Sequence, residues 1–326
     1  MLTLNRNTLA RLLLALTLLF HGLVFSQSNW PTKPVKIIVP FGPGSFTDLA
    51  ARALAAELTQ QLSQQFIVEN RGGAGGTIGA NVVASSAGDG HTLLLTDNSF
   101  VMVAGLYPKL PYDPLKAFSQ ISQIAESPSM MVARLGLPAR SVKELVSLVQ
   151  SKPNQLNFGS GGVGSSAHLA TELFLNVTNT KMIHIPFKGV AASIAEVMAD
   201  RVDISIASLA SGAAHVKSGR VQGFGVTGSE RNPLLPDVPT FAESGFGAYN
   251  MSYWWGIAAP AATPIEVVNL LNREIRKAAI QPNLLKMFQA QGAKSVTNSP
   301  AEMTRLVETE ITTWKNIIQK ANVQIE

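Results

Sequence analysis

Two stretches of this chain place glycines and hydroxyls where backbone could grip an anion. In Val35–Arg52, VKIIVPFGPGSFTDLAAR, an apolar run (Val35, Ile37, Ile38, Val39) stops at Pro40, and a loop holding Gly42 and Gly44 follows. An amphipathic stretch then begins near Thr47 and Asp48, with Leu54, Leu58 and Leu62 at the four-residue spacing of one helix face. A strand that ends in a Gly-rich turn and feeds a helix leaves unpaired N–H groups at the carboxyl edge of a sheet. Anions bind there without Lys or Arg. Leu156–Phe174, LNFGSGGVGSSAHLATELF, repeats the device. Two such mouths predict an acidic small molecule held between two domains.

The first mouth comprises Phe41, Gly44, Ser45, Phe46, Thr47 and Asp48. Glycine lets backbone approach a ligand with no Cβ in the way; a tight turn with Asp48 capping the helix reads the same. Asp48 suits a cap or loop brace better than a contact, since it would repel a carboxylate. Gly72–Gly76 is either a second glycine lip or a plain turn. Thr96, Asp97, Asn98 and Ser99 end a strand at the expected cleft edge, and Thr96 and Asn98 are taken as ligand contacts. In the second mouth the candidates are Ser160, Gly161, Gly162 and Ser165, with His168 in the first helical turn as a brace or contact. Lys188 and Gly189 follow a later strand, where Lys188 either complements an anion or is simply solvated. Trp254 and Trp255 either wall the cleft or pack in a core.

Other chemistries find little support. Gly159–Gly164 formally reads G-x-G-x-x-G, but the next strand ends in Phe187-Lys188 where a nucleotide site wants an acidic residue. No cofactor is expected. The five histidines (21, 91, 168, 184, 215) show no H-E-x-x-H spacing, there is no cysteine, and no G-x-S-x-G elbow occurs, so no metal and no catalytic residue is assigned. An exported hydrolase acting on a small acid or ester, with Ser165 and His168 as a pair, is one alternative, and it lacks an evident orienting carboxylate; a binding protein retooled as a signalling sensor is the other.

The first 26 residues read as a cleavable signal peptide. Arg6 and Arg11 precede the apolar Leu12–Phe20, and Val24-Phe25-Ser26 offers a cleavage site. The apolar core is shorter than the ~20 residues of a spanning helix and is broken by His21-Gly22. Without cysteine there is no lipid anchor, so the expected location is the periplasm. Removing the segment leaves 24 basic against 21 acidic residues, a net of +3. No block of like charge occurs, which argues against nucleic acid. A monomer is expected.

Strand patterns at 35–39, 65–69 and 92–96 alternate with helical ones at 47–62 and 76–87, a βαβαβ order that implies parallel strands. Leu106–Pro114 carries three prolines and is irregular. The pattern restarts: strands at 121–124 and 130–133, a helix at 141–151 capped by Ser141 with Glu144 at the capping-box position, then strands at 156–158, 181–186, 204–207 and 223–227 with helices at 165–175 and 191–199. After an irregular stretch, 232–247, come an aromatic-rich run at 253–259 and helices at 264–279 (capped by Thr263) and 300–320.

The pieces VPFGPGSFTDLAAR and ENRGGAGGTIGANVVASSAGDGHTLL resemble those of Bug-type receptors, the extracytoplasmic solute-binding components of tripartite tricarboxylate transporters. LYPKLPYDP, FGSGGVGSSAHLATELF, IPFKGVAASIAEVMADRVDISIA, LPDVPTFAESG and YWWGIAAPAATP extend the resemblance, in order, over the chain after the leader. It implies a type II periplasmic-binding-protein fold of class α/β. Residues 30–125 with 255–326 would form one domain and 126–254 the other, around a cleft for a mono- or dicarboxylate. It also implies membrane subunits of a transporter as partners. The chain departs from the family pattern at Ser45, in place of the second glycine of P-G-G-x-x-D. It departs again at His91 and Phe187, each in place of Tyr, and at Ala192, where proline is common. Ser45 lies in the mouth itself, so the resemblance transfers no ligand identity.

Overall fold

The computed structural model describes residues 30–107 and 109–321. The leader read at 1–26 lies outside the described residues. Among those described, no helix is long and apolar enough to cross a membrane.

The chain opens with β1 (Val35–Val39), which pairs in parallel with β2 (Phe66–Asn70) and β3 (Thr92–Asp97). β1 is flanked on both edges and buried apart from Lys36, hence its nearly unbroken apolar run. The crossovers are α1 (Phe46–Leu62) and α2 (Thr77–Ala84). A helix not read from the sequence, α3 (Asn98–Leu106), starts where β3 ends. Its signal was Asp97-Asn98-Ser99, in which the Asp97 carboxylate accepts the Ser99 N–H at 2.9 Å.

The two strands expected at 121–124 and 130–133 are one, β4 (Phe118–Ala133). The polar Glu126–Ser129 interval looked like a break. Yet Ser127 and Ser129 are buried and satisfied: Ser127 Oγ accepts the Ala210 N–H at 3.1 Å, and Ser129 N–H donates to Thr227 Oγ1 at 2.8 Å. Pro128 donates no ladder bond. It falls where β4 changes neighbours, from the antiparallel β9 (Ser252–Pro260) to β7 (Ile204–Ser208) and β8 (Gln222–Val226).

Beyond α4 (Val142–Ser151), β5 (Asn157–Ser160) pairs in parallel with β6 (Ile183–Pro186) and with β7. The helices α5 (Ser166–Thr178), α6 (Val190–Met198) and α7 (Leu209–Lys217) follow β5, β6 and β7 respectively. The strand order is therefore β2-β1-β3-β9-β4-β7-β5-β6, with β8 also on β4. Residues from α6, β7 and α7 such as Ile194, Val197 and Leu209 meet Met130 and Val132 of β4 in the core of the second half. The chain closes with α8 (Ile265–Ala278), α9 (Pro282–Ala290), the short β10 (Lys294–Ser295) on β4, and α10 (Pro300–Ala321).

Two capping expectations change. Pro264 occupies the N-cap of α8 with no side-chain bond, and Thr263 Oγ1 finds no partner among the described residues. Ser141 caps α4 as read, but the Glu144 carboxylate accepts the N–H of Arg140, one residue before the capping-box position, at 2.8 Å.

Candidate functional site

Five strand-to-helix junctions meet at one small cavity. The β1–α1 turn contributes Phe41, Ser45 and Thr47, and the β3–α3 junction contributes Asp97. From the second half come Gly161 and Ser165–Ala167 of the β5–α5 turn, Val190 at the start of α6, and Ser208 and Ser211 at the start of α7. Tyr253 and Trp255, on one face of β9, complete the wall.

The junctions share a cap. Ser45 Oγ accepts the Asp48 N–H, Ser165 Oγ that of His168 and Ser208 Oγ that of Ser211, at 3.4, 3.3 and 3.2 Å. Each serine satisfies one of the helix's leading amides. Ser166 N–H donates to Ser99 Oγ at 2.7 Å, a bond that ties α5 to α3. The N–H groups of Thr47 and Ala167, both lining residues, have no partner among the described residues. Free amides at two helix starts offer directed donors and the positive ends of two dipoles.

The glycine loops touch. A Cβ on Gly42 would come within 2.6 Å of the Lys188 carbonyl oxygen, one on Gly161 within 3.2 Å of Val190 N, and one on Gly75 within 2.9 Å of Gly164 C. Gly44 and Gly162 have φ of 88° and 118°, which a larger residue rarely adopts.

The first mouth is braced by charge. Asp48, buried behind the loop, accepts from Gly44 N–H at 3.2 Å, from Arg52 Nε and Nη2 at 3.0 and 2.9 Å, and from Asn70 Nδ2 at 3.0 Å. Asn70 Nδ2 also donates to the Phe41 carbonyl at 2.9 Å. Burial raises the Asp48 pKa, but the bonds from Arg52, Asn70 and Gly44 outweigh it and leave the group below its ordinary range.

The second mouth is braced by neutral groups. Gly164 N–H donates to His168 Nδ1 at 3.2 Å, and the His168 ring stacks on His184 at 4.0 Å. His184 Nε2 lies 2.6 Å from Ser160 Oγ, which accepts the Gly162 N–H at 3.1 Å. Burial pushes both imidazoles down, His168 to about 3 with His184 adding to the effect, and His184 to about 4.

Of the residues picked from the sequence, Phe41, Ser45, Thr47, Gly161 and Ser165 line the cavity. Phe46 sends its ring into the core against Trp255 and Phe288, with centroids 4.4 and 5.4 Å away, so what it can offer a ligand is its backbone. Asp48, Ser160, Gly162 and His168 stand behind the loops as braces. Thr96 is buried, with Oγ1 unpartnered among the described residues, beside a smaller cavity next to the main one. Asn98 clamps β9: its Oδ1 accepts the Trp254 N–H at 2.9 Å and its Nδ2 donates to the Ser252 carbonyl at 3.2 Å. Lys188 is exposed and borders, with Gly162, a larger space that shares Phe41 and Gly161 with the inner cavity. Gly189, at φ 117°, is the N-cap of α6.

Sequence reasoning missed Ser208 and Ser211, Tyr253 and Ala207. The Ser-x-x-Ser pattern after an apolar strand would have revealed the α7 start. Tyr253 is the second residue of β9, where nothing in the sequence marks it off from core aromatics. Trp255 is both wall and core, its Nε1–H donating to Thr47 Oγ1 at 3.0 Å.

Residues 50–323 match the family described as Tripartite tricarboxylate transporter family receptor. Three solved structures are similar over nearly their whole length. One, titled as the periplasmic binding protein BugD, is 30% identical with a TM-score of 0.87, covering 91% of this chain and 100% of the other. Rpa4515 of R. palustris, solved with adipate, is 32% identical with a TM-score of 0.86, covering 90% and 99%. MatC of Rhodopseudomonas palustris, solved with bound malate, is 31% identical with a TM-score of 0.86, covering 89% and 100%. The expected type II periplasmic-binding-protein fold is therefore the fold of this chain, and the chain belongs to the tripartite tricarboxylate transporter receptor family.

Proposed function

We propose that this protein is a periplasmic receptor, exported by its leader, that captures a small organic carboxylate and hands it, as a monomer, to the membrane subunits of a tripartite transporter. The ligand lies between one domain of residues 30–125 and 255–326 and a second of 126–254. The observation that carries the reading is the pair of amides at Thr47 and Ala167, without partners among the described residues, on one cavity. Hydrogen bonds to a charged group contribute about 1.5–3 kcal/mol each. Three or so therefore reach the ~8 kcal/mol of a micromolar complex before ordering costs are met. Ligand bonded to both helix starts favours the closed arrangement in proportion to its differential affinity for it.

Turnover is not expected. Among the described residues Ser165 Oγ meets only the backbone N–H of His168, whose imidazole Nδ1 is held by Gly164, and none of them stands as a base for the serine. The test is native mass spectrometry of the purified protein, to identify a retained acid, followed by calorimetry with adipate and malate as probes. One-to-one binding with the acid recovered unchanged supports the receptor. A product that disappears in Ser165→Ala would establish a hydrolase instead.

A further inference from the structure

Among the four side-chain-capped junctions around the cavity (Gly189 at the start of α6 offers no side-chain cap), the start of α3 is the odd one. Serine caps α1, α5 and α7, but Asp97 caps α3 and so sets a carboxylate on the wall of an anion site. The cap itself needs only one acceptor oxygen, which Ser or Asn supplies as well. Asp97 is 5% exposed, and among the described residues no Lys, Arg or His lies within ion-pair distance of it. A buried carboxylate without a cation or a full set of donors is unfavourable. Its own helix start supplies donors, from Ser99 and the Phe100 N–H, but no cation, so a donor entering the cavity would add to that set.

An unpartnered hydroxyl stands beside it. Tyr253 is 3% exposed and lines the same cavity, and its Oη has no bond of hydrogen-bonding geometry among the described residues. Ser129 lies near it, but the Ser129 hydroxyl is paired with Tyr249 Oη at 2.9 Å. Asp97 lies opposite Trp255 in the β3–β9 register, and Tyr253 lies two residues from Trp255, so all three share one face of the sheet. An acceptor-only group and a hydroxyl that can donate thus flank one end of the space. Resting on the reading of this cavity as a carboxylate site, we propose that Asp97 and Tyr253 form a specificity subsite for acids bearing a hydroxyl or ammonium donor next to a carboxylate. The ligand's donor bonds to the Asp97 carboxylate, its adjacent carboxylate oxygen accepts from Tyr253 Oη–H, and the helix amides take the remaining oxygens. A plain aliphatic acid leaves Asp97 without that added donor and facing a like charge.

The test is calorimetry on the purified protein with acids matched in length: succinate, malate and aspartate, then propionate, lactate and alanine, then adipate, 2-hydroxyadipate and 2-aminoadipate. In at least one set the hydroxy or amino acid binds about tenfold or more tightly than its plain partner, one well-made hydrogen bond to a charged group being worth that much. Comparison of malate with aspartate separates a hydroxyl donor from an ammonium. Asp97→Asn, which keeps the cap, brings the members of that set to within about threefold of one another, and Tyr253→Phe weakens the donor-bearing acid more than the plain one. If Asp97→Asn fails to fold by circular dichroism, Asp97→Ser, the cap used at α1, α5 and α7, replaces it. Plain acids binding as tightly as their substituted partners would overturn the subsite and leave the carboxylate receptor standing. So would Asp97→Asn weakening all members alike. Failure of every acid to bind would overturn the carboxylate reading itself, and the subsite with it.

Discussion

The two mouths do the same work with opposite chemistry behind them. In the first, the loop at 41–44 is held by a buried carboxylate, Asp48, gathered between Arg52, Asn70 and a backbone amide. In the second, the loop at 160–164 is held by uncharged groups: a serine, two stacked imidazoles and amides that donate to them. Both schemes leave the inner face of the turn to backbone. The difference lies in what can disturb each. A brace built on an ion pair responds to salt and to strong acid, whereas one built on neutral histidines fails as soon as those histidines must take up protons.

Adding a side chain where the mouths meet should give the largest effect, and it separates ligand contact from closure. Gly42→Ala drives a Cβ to within 2.6 Å of the Lys188 carbonyl, and neither partner is a flexible side chain. Overpacking of this kind costs about 1–3 kcal/mol, which applied to the closed form alone weakens ligand by about ten- to a hundredfold. Gly161→Val adds bulk directly on the cavity, and we expect binding to be lost while circular dichroism stays native. Unchanged affinity in calorimetry for Gly161→Val would remove the second mouth from the site.

Next in size is the response to acid. His168 and His184 have folded pKa values of about 3 and about 4, pushed down by burial, so both are neutral when the protein is folded. An unfolded histidine takes its proton near 6.5. Stability from the second mouth is therefore complete above pH ~6.5 and falls away toward pH 4. Asp97 works the other way over much of the same window. Burial raises its carboxyl to about 6, so the folded protein holds a proton that the unfolded chain has shed above pH ~4, and stability falls as pH rises from 4 to 6. The two slopes oppose each other. Denaturant unfolding at pH 4.5, 5.5 and 7 should show a shallow profile for the native protein. Asp97→Asn should be more stable at pH 7 and lose stability more steeply on acidification, whereas His168→Phe should lose less. Parallel profiles for all three would mean that neither group titrates in the folded state as its burial requires.

How much of this was legible in the sequence follows from where each interaction lives. The βαβ order and the two Gly-rich turns were readable because local chemistry specifies them: an apolar run for a strand buried on both faces, glycine where φ is positive, serine three residues before a capped amide. The braces were only half readable. Asp48 suggested itself as a brace, but Asn70 is 22 residues away, and no local pattern announces that its amide would join Asp48 to the Phe41 carbonyl. His184 was a strand residue without apparent role until the register of β5 and β6 placed it beside Phe158 and under His168. The unity of β4 was hidden because buried serines look like a loop until their partners on α7 and beyond β8 are known. The partners of Asn98 were hidden for the same reason, lying 154 and 156 residues away on β9.

The smallest expected effect concerns Arg52, and it sharpens the contrast between the mouths. The guanidinium is half exposed while Asp48 is buried, so the two ends of this pair differ in what their loss would do. Removing the arginine forfeits an exposed interaction of about 0.2–1 kcal/mol, and water can replace part of it. Asp48→Asn keeps the volume and one acceptor oxygen but takes away the charge that collects three donors, which costs about 1–2 kcal/mol. We therefore expect Arg52→Ala to lower the melting temperature by a degree or so, with the difference from the native protein shrinking in about 0.5 M salt, and Asp48→Asn to lower it more, largely independent of salt. The matching change in the second mouth, Ser160→Ala, removes a neutral acceptor from Gly162 N–H, and its effect should not move with salt at all. If Ser160→Ala were the salt-sensitive one, the assignment of charge to one mouth and neutrality to the other would be reversed.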